Sequence, residues 1–129
     1  MIKKQVRKLS PANLEIMKII WEKGEVTVSG VVEAINAKRK DKLRRTTIQV
    51  QMGRLEEYGW LKHRKIGRTF YYSAVYEKQK TRKEILNDIK NRVFSGSRAE
   101  LVKCLLEESN VAPEDIKELR DLLKDYDKE

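Results

Sequence analysis

RRTTIQVQMGRLEEYGW, residues 44–60, decides how the chain is read. Ile48, Met52 and Leu55 recur at i, i+4 and i+7, which is one apolar stripe of an α-helix. The opposite surface is made of Thr46, Val50 and Gly53, with Gln49 on one flank and Thr47 and Arg54 on the other. Arg44 and Arg45 stand at its entrance. Solvated helix faces are usually dense in Glu and Lys, whereas this one is slim, mostly neutral and bounded by cations. A helix in a DNA major groove needs that combination. A narrow outer face lets the backbone come close, and Thr46, Gln49 and the Val50 methyls suit base edges. The arginines suit phosphates. An ordinary exposed helix that happens to lack Glu and Lys has the same local sequence, so the neighbouring segments decide.

Upstream, SPANLEIMKIIWEK (residues 10–23) predicts a helix capped by Ser10, with Pro11 at its first position. Leu14, Met17, Ile20 and Trp21 are its expected stripe, and Gly24 ends it. Residues 25–27 are long enough only for a strand stub. Thr27 then caps a second helix with Val28, Val31, Val32 and Ile35 on one face. KRKDKLRR, residues 38–45, is a basic loop that includes Lys42. Downstream, Gly59 closes the third helix. Two extended runs, 60–65 and 69–73, then flank Ile66, Gly67 and Arg68 and predict a hairpin. Its tip is cationic through Lys62, Arg64, Lys65 and Arg68 around Gly67, which suits phosphates or a minor groove. Phe70 and Tyr72 are expected to pack the hairpin onto the core, and His63 is expected to be a bystander. Three helices followed by a hairpin is the order of a winged helix-turn-helix.

Beyond Val75 every segment reads as helix. Ile85, Ile89 and Val93 are spaced by four, and residues 94–97 (FSGS) break the run. Leu101, Val102, Leu105 and Leu106 form the next apolar face. Ile116, Leu119, Leu122 and Leu123 form the last, in a helix opened by Pro113 with Glu114 and Asp115 in its first turn. Acidic side chains there complement the helix dipole. The expected organisation is mainly α with a small β-wing. A winged helix-turn-helix domain over residues 1–74 is followed by a helical dimerisation region over 75–129. Helical appendages below roughly 60 residues are marginal alone. These helices therefore need either a second copy of the chain, the favoured reading, or their own winged domain to cover them.

Charge supports the division of labour. The 129 residues carry a formal net charge of +9. Residues 1–73 hold 17 Lys+Arg against 7 Asp+Glu, and residues 74–129 hold 12 against 13. A basic half suits a polyanion, because neutralising phosphates releases condensed counterions. The single cysteine, Cys104, allows no internal disulfide and points to a reducing compartment. No signal peptide or bilayer-spanning run is visible, so a cytoplasmic protein with no membrane partner is expected. Cys104 lies among leucines and is expected to be a buried, inert thiol. With one Cys and one His, zinc-ligand clusters are excluded. A Cys–His nucleophile pair would have to join Cys104 to His63, in different predicted domains. No catalysis and no cofactor is expected. The readings left open are an operator-specific repressor, a winged-helix protein-interaction module and a non-specific architectural DNA binder.

SPANLEIMKIIW, TVSGVVEAI, RRTTIQVQMGRLEEYGWL, GRTFYYS and APEDIKELRDLL, in that order, resemble the penicillinase-repressor (BlaI/MecI-like) family from about residue 9 to residue 124. The resemblance implies a repressor that dimerises through its C-terminal helices and binds an inverted-repeat operator. Residues expected to contact DNA are Lys42, Arg44, Arg45, Thr46, Thr47, Gln49, Val50 and Arg54, with Arg64, Lys65, Gly67 and Arg68 in the wing. Those expected in the dimer contact are Ile85, Ile89, Val93, Leu101, Val102, Leu105, Leu106, Ile116, Leu119, Leu122 and Leu123. Two positions depart from the family pattern. Antibiotic-responsive members are cleaved at an Asn-Phe bond where this chain has Cys104-Leu105. Copper-responsive members carry a cysteine cluster, and one thiol cannot form one. The resemblance therefore leaves the inducing signal or upstream sensor unidentified.

Overall fold

The computed structural model describes residues 9–108 and 110–127. Three helices come first: α1 (Pro11–Lys23), α2 (Val28–Asn36) and α3 (Arg45–Glu57), with a short strand β1 (Glu25–Val26) between α1 and α2. Strands β2 (Leu61–Ile66) and β3 (Thr69–Ala74) follow, then α4 (Lys78–Val93), α5 (Arg98–Glu107) and α6 (Pro113–Tyr126). The sheet is antiparallel in the order β1-β3-β2. Three helices with a hairpin wing and a strand stub at the wing's edge make a winged helix. The chain divides into two compact units, one up to Asp88 and the other from Ile89.

The helix starts follow from capping chemistry. The Ser10 Oγ accepts the Asn13 N–H at 3.1 Å, and the Thr27 Oγ1 accepts the Gly30 N–H at 3.0 Å. Each satisfies an N–H that the helix itself leaves unpaired. The α1 stripe is rotated from the expected one. Asn13, Ile16, Met17 and Ile20 are buried, while Leu14 and Trp21 are only half-buried. Trp21 turns aside because its indole Nε1 donates to the Tyr76 carbonyl at 2.9 Å. A buried indole needs a partner for that N–H.

The core of the first unit draws Ile16, Met17 and Ile20 from α1, Val31 and Ile35 from α2, and Ile48, Met52 and Leu55 from α3. Val26, Trp60, Leu61 and Tyr72 close it from the sheet side. Burying one such side chain is worth roughly 1.5–3 kcal/mol, so α3 is fixed by one face and leaves the other free. Ile85 from α4 packs against this same core, which gives it a partner within its own chain. The wing turns at Gly67 and Arg68. Gly67 takes φ +63°, as the first residue of a two-residue type II′ hairpin turn requires.

The second unit is built differently. Ser97 caps α5, its Oγ accepting the Glu100 N–H at 3.0 Å, and Pro113 opens α6. Yet α5 and α6 contain no buried residue. A groove of about 460 Å³ runs between them, lined by Leu105, Leu106, Val111, Leu119 and Leu122 with Glu108, Asp115 and Glu118. Cys104 is exposed, against the expectation of a buried thiol, because nothing in its own unit covers that side of α5.

Candidate nucleic-acid interface

The two faces of α3 behave as the spacing predicts. Ile48, Met52 and Leu55 are completely buried. Arg45, Thr46, Thr47, Gln49, Val50, Gly53 and Arg54 are all exposed, as is Arg44 in the N-cap position. No acidic residue lies in the first turn, and the α3 N-terminus has no side-chain cap. Its positive dipole end and the two arginines therefore reinforce each other.

The wing's alternation sorts the cations. Period two places Lys65 with His63 on one side of β2, and Arg64 with Lys62 on the other. Lys65 lies over the Phe70 ring, with its Nζ 5.9 Å from the centroid. Phe70 itself is 44% exposed, so it does not pack the wing onto the core as expected, whereas Tyr72 does. Phe70 instead stacks on His63, with ring centroids 4.7 Å apart. His63 is more than a bystander, since its Nδ1 lies 2.6 Å from Glu56 Oε2 near the end of α3. That contact ties the root of the wing to the third helix. Burial pushes the Tyr72 hydroxyl pKa above its ordinary value, and the Glu56 carboxylate adds to the shift.

Three of the candidate cations already hold partners inside the fold. The Arg64 guanidinium donates to both oxygens of Glu25 at 2.7 Å, reaching past β3 to β1. That hydrogen-bonded pair holds the Glu25 carboxyl below its ordinary pKa and raises Arg64. Lys42 donates to the Asn36 carbonyl at 2.6 Å and the Arg39 carbonyl at 2.9 Å. It pins the basic loop beside the Asn36 amide, which accepts from the Leu43 N–H at 2.8 Å and donates to the Leu43 carbonyl at 3.0 Å. Arg45 donates to the Ser29 hydroxyl.

Arg45, Gln49 and Arg68 share one cleft of about 260 Å³ with Thr27, Ser29, Thr69 and Phe70. The structure thus brings the start of α3, the start of α2 and the wing tip together. Lys42, Arg44, Arg54 and Arg64 do not line that cleft. Ser29 and Thr69 are not among the contact residues expected from the sequence. Ser29 sits beside the Thr27 cap in an exposed first turn, a recognisable place for a hydroxyl. Glu25 and Arg64 are 39 residues apart, and no local pattern links them.

A winged helix whose third helix is buried on one side and slim and cation-bounded on the other has the shape and charge that a DNA-binding transcriptional regulator needs. Comparison with known proteins agrees and narrows the class. The penicillinase repressor family model matches residues 9–125. The penicillinase repressor of Bacillus licheniformis is 28% identical over 123 residues, covering 95% of this chain and 94% of that protein. The methicillin resistance regulatory protein MecI of Mammaliicoccus sciuri is 27% identical over 115 residues, covering 89% of this chain and 92% of that protein. The solved DNA-binding domain of the repressor BlaI is 31% identical, with a TM-score of 0.49, over 55% of this chain and 84% of that domain. The chain belongs to the penicillinase repressor family. The family and the matched relatives carry the names of a penicillinase repressor and a methicillin resistance regulatory protein.

Proposed function

We propose that the protein represses transcription as a homodimer bound to an inverted-repeat operator. The observation that carries this reading is the two-faced third helix. Three residues of α3 are wholly buried, and the surface opposite offers small or hydrogen-bonding side chains between arginines. On this reading Thr46, Thr47, Gln49 and Val50 meet base edges, while Arg44, Arg45, Arg54, Lys65 and Arg68 meet phosphates. Gly67 lets the wing turn tightly enough to bring Arg68 to the backbone. Lys42 and Arg64, like Arg45, are already engaged within the fold, so on this reading each meets DNA from a position that the fold holds.

The dimer is supported by the second unit. Val93 and Leu123 are 64% and 69% exposed, and Val102, Leu105, Leu106, Ile116, Leu119 and Leu122 are exposed as well. Contiguous apolar faces of this kind mark association surfaces. A second copy offers the same faces through a two-fold axis, which is the commonest form of self-assembly. Leu101 and Ile89 are half-buried and belong to the same proposed contact. A two-fold pair presents two recognition helices to half-sites one helical turn apart, about 34 Å, or a multiple of it.

The test is selection of bound duplexes from a random pool, followed by binding across a salt series. The expected result is a palindrome whose affinity falls steeply with salt, the slope shrinking by about one for Arg54→Ala and for Arg68→Ala. Equal binding to every duplex would leave only an architectural role. Absence of DNA binding at low salt would point to a protein partner.

A further inference from the structure

Gly53 has no explanation inside its own chain. Glycine in a helix interior is among the poorest helix formers, and the helix around Gly53 runs on to Glu57. Three intramolecular reasons can keep a glycine in such a place. The first is a positive φ, and Gly53 is not among the glycines that adopt one. The second is close packing, yet a Cβ built on Gly53 meets nothing within 4 Å. The third is helix termination, and that falls at Tyr58. Gly30 is the instructive contrast, because its added Cβ would meet Val26 Cγ2 at 2.6 Å. The fold requires a glycine at Gly30 and does not require one at Gly53.

Gly53 continues the outer stripe of Thr46 and Val50 at i, i+4 and i+7, opposite the buried stripe. We propose that Gly53 is where the backbone of the third helix itself comes against duplex DNA, so that a hydrogen is the largest group tolerated there. This rests on the DNA-binding reading above and adds a geometry to it. Recognition helices generally reach bases with their early residues. A vacant third turn lets the helix lie along the groove instead of tilting out of it. Thr46, Val50 and Gly53 then follow the groove floor together, and Arg54 reaches the adjoining strand.

The experiment uses the full chain, Gly53→Ala and Gly53→Leu, with a fluorescent duplex recovered by the parent protein from a random pool. Gly53→Ala is expected to raise the thermal midpoint by a few degrees, since alanine is the better helix former. The same variant is expected to bind the recovered duplex roughly tenfold to a hundredfold more weakly, the scale of a lost base contact. Gly53→Leu loses more. The salt slope shrinks by at most about one, the loss expected if Arg54 no longer reaches its phosphate. Stabilisation together with weakened binding is what a merely structural glycine would not give. If Gly53→Ala binds as tightly as the parent, the inference falls while the DNA-binding reading stands. A lowered thermal midpoint also overturns it, since the fold would then need the glycine. A parent chain that recovers no duplex removes both.

Discussion

The two units of this chain use the same kinds of side chain to opposite ends. In the first, aliphatic and aromatic residues from three helices and a sheet converge on one core, and its thirteen buried positions from Ile16 to Tyr72 need no partner beyond the unit to be covered. In the second, the helices α5 and α6 carry equally regular apolar stripes and bury none of them. Periodicity specifies which residues share a face, but not what covers that face. The first unit answers from within. On the reading proposed here, the second answers with another copy of itself, and the first turns the exposed face of α3 to DNA.

The comparison breaks most visibly if the second unit is made unable to pair. Leu105→Asp with Leu119→Asp places carboxylates in the proposed contact, and an unpaired buried charge costs several kcal/mol. Sedimentation is expected to show a monomer, with operator affinity falling by roughly 1,000-fold or more on that scale, while the first unit keeps its circular dichroism signature. A dimer that survives both changes would remove these helices from the interface.

Within the first unit, Met52→Ala deletes a fully buried side chain, and core truncations of this kind cost about 2–5 kcal/mol. Denaturant unfolding should register that loss. Gly30→Ala is expected to cost about 1–3 kcal/mol by overpacking against Val26, because the new Cβ starts 2.6 Å from a core methyl group. If Gly30→Ala leaves stability unchanged, the contact between α2 and β1 is looser than described.

The smallest effect concerns the pair between Glu25 and Arg64. Its hydrogen bonds lower the Glu25 carboxyl from its ordinary value of 4.5. A lowered folded pKa means the pair's contribution is present above the ordinary carboxylate range and is lost as pH falls through the lowered value. Carboxyl NMR of Glu25 should therefore titrate below 4.5, and Arg64→Gln should return it toward 4.5. An unchanged titration in that variant would show that Arg64 does not hold Glu25 in solution.

Much of this was legible in the sequence because it is local. Ser10, Thr27 and Ser97 cap helices where a hydroxyl precedes an apolar stripe, and the buried face of α3 follows from spacing alone. What was not legible depends on distant partners. The α1 stripe turns because Trp21 finds a carbonyl 55 residues away. Phe70 stays exposed because its ring meets His63 on the neighbouring strand rather than the core. Cys104 sits among leucines in sequence, yet the helix that carries it has no cover within its unit. The cleft joining Arg45, Gln49 and Arg68 needs three separate elements to meet.

The most direct test is the number of chains bound to the duplex recovered from the random pool, measured by sedimentation of the complex. The account predicts two chains on one palindromic site, bound together without a populated single-chain complex. One chain on an asymmetric site would contradict it, as would a chain that stays monomeric and leaves the duplex unbound.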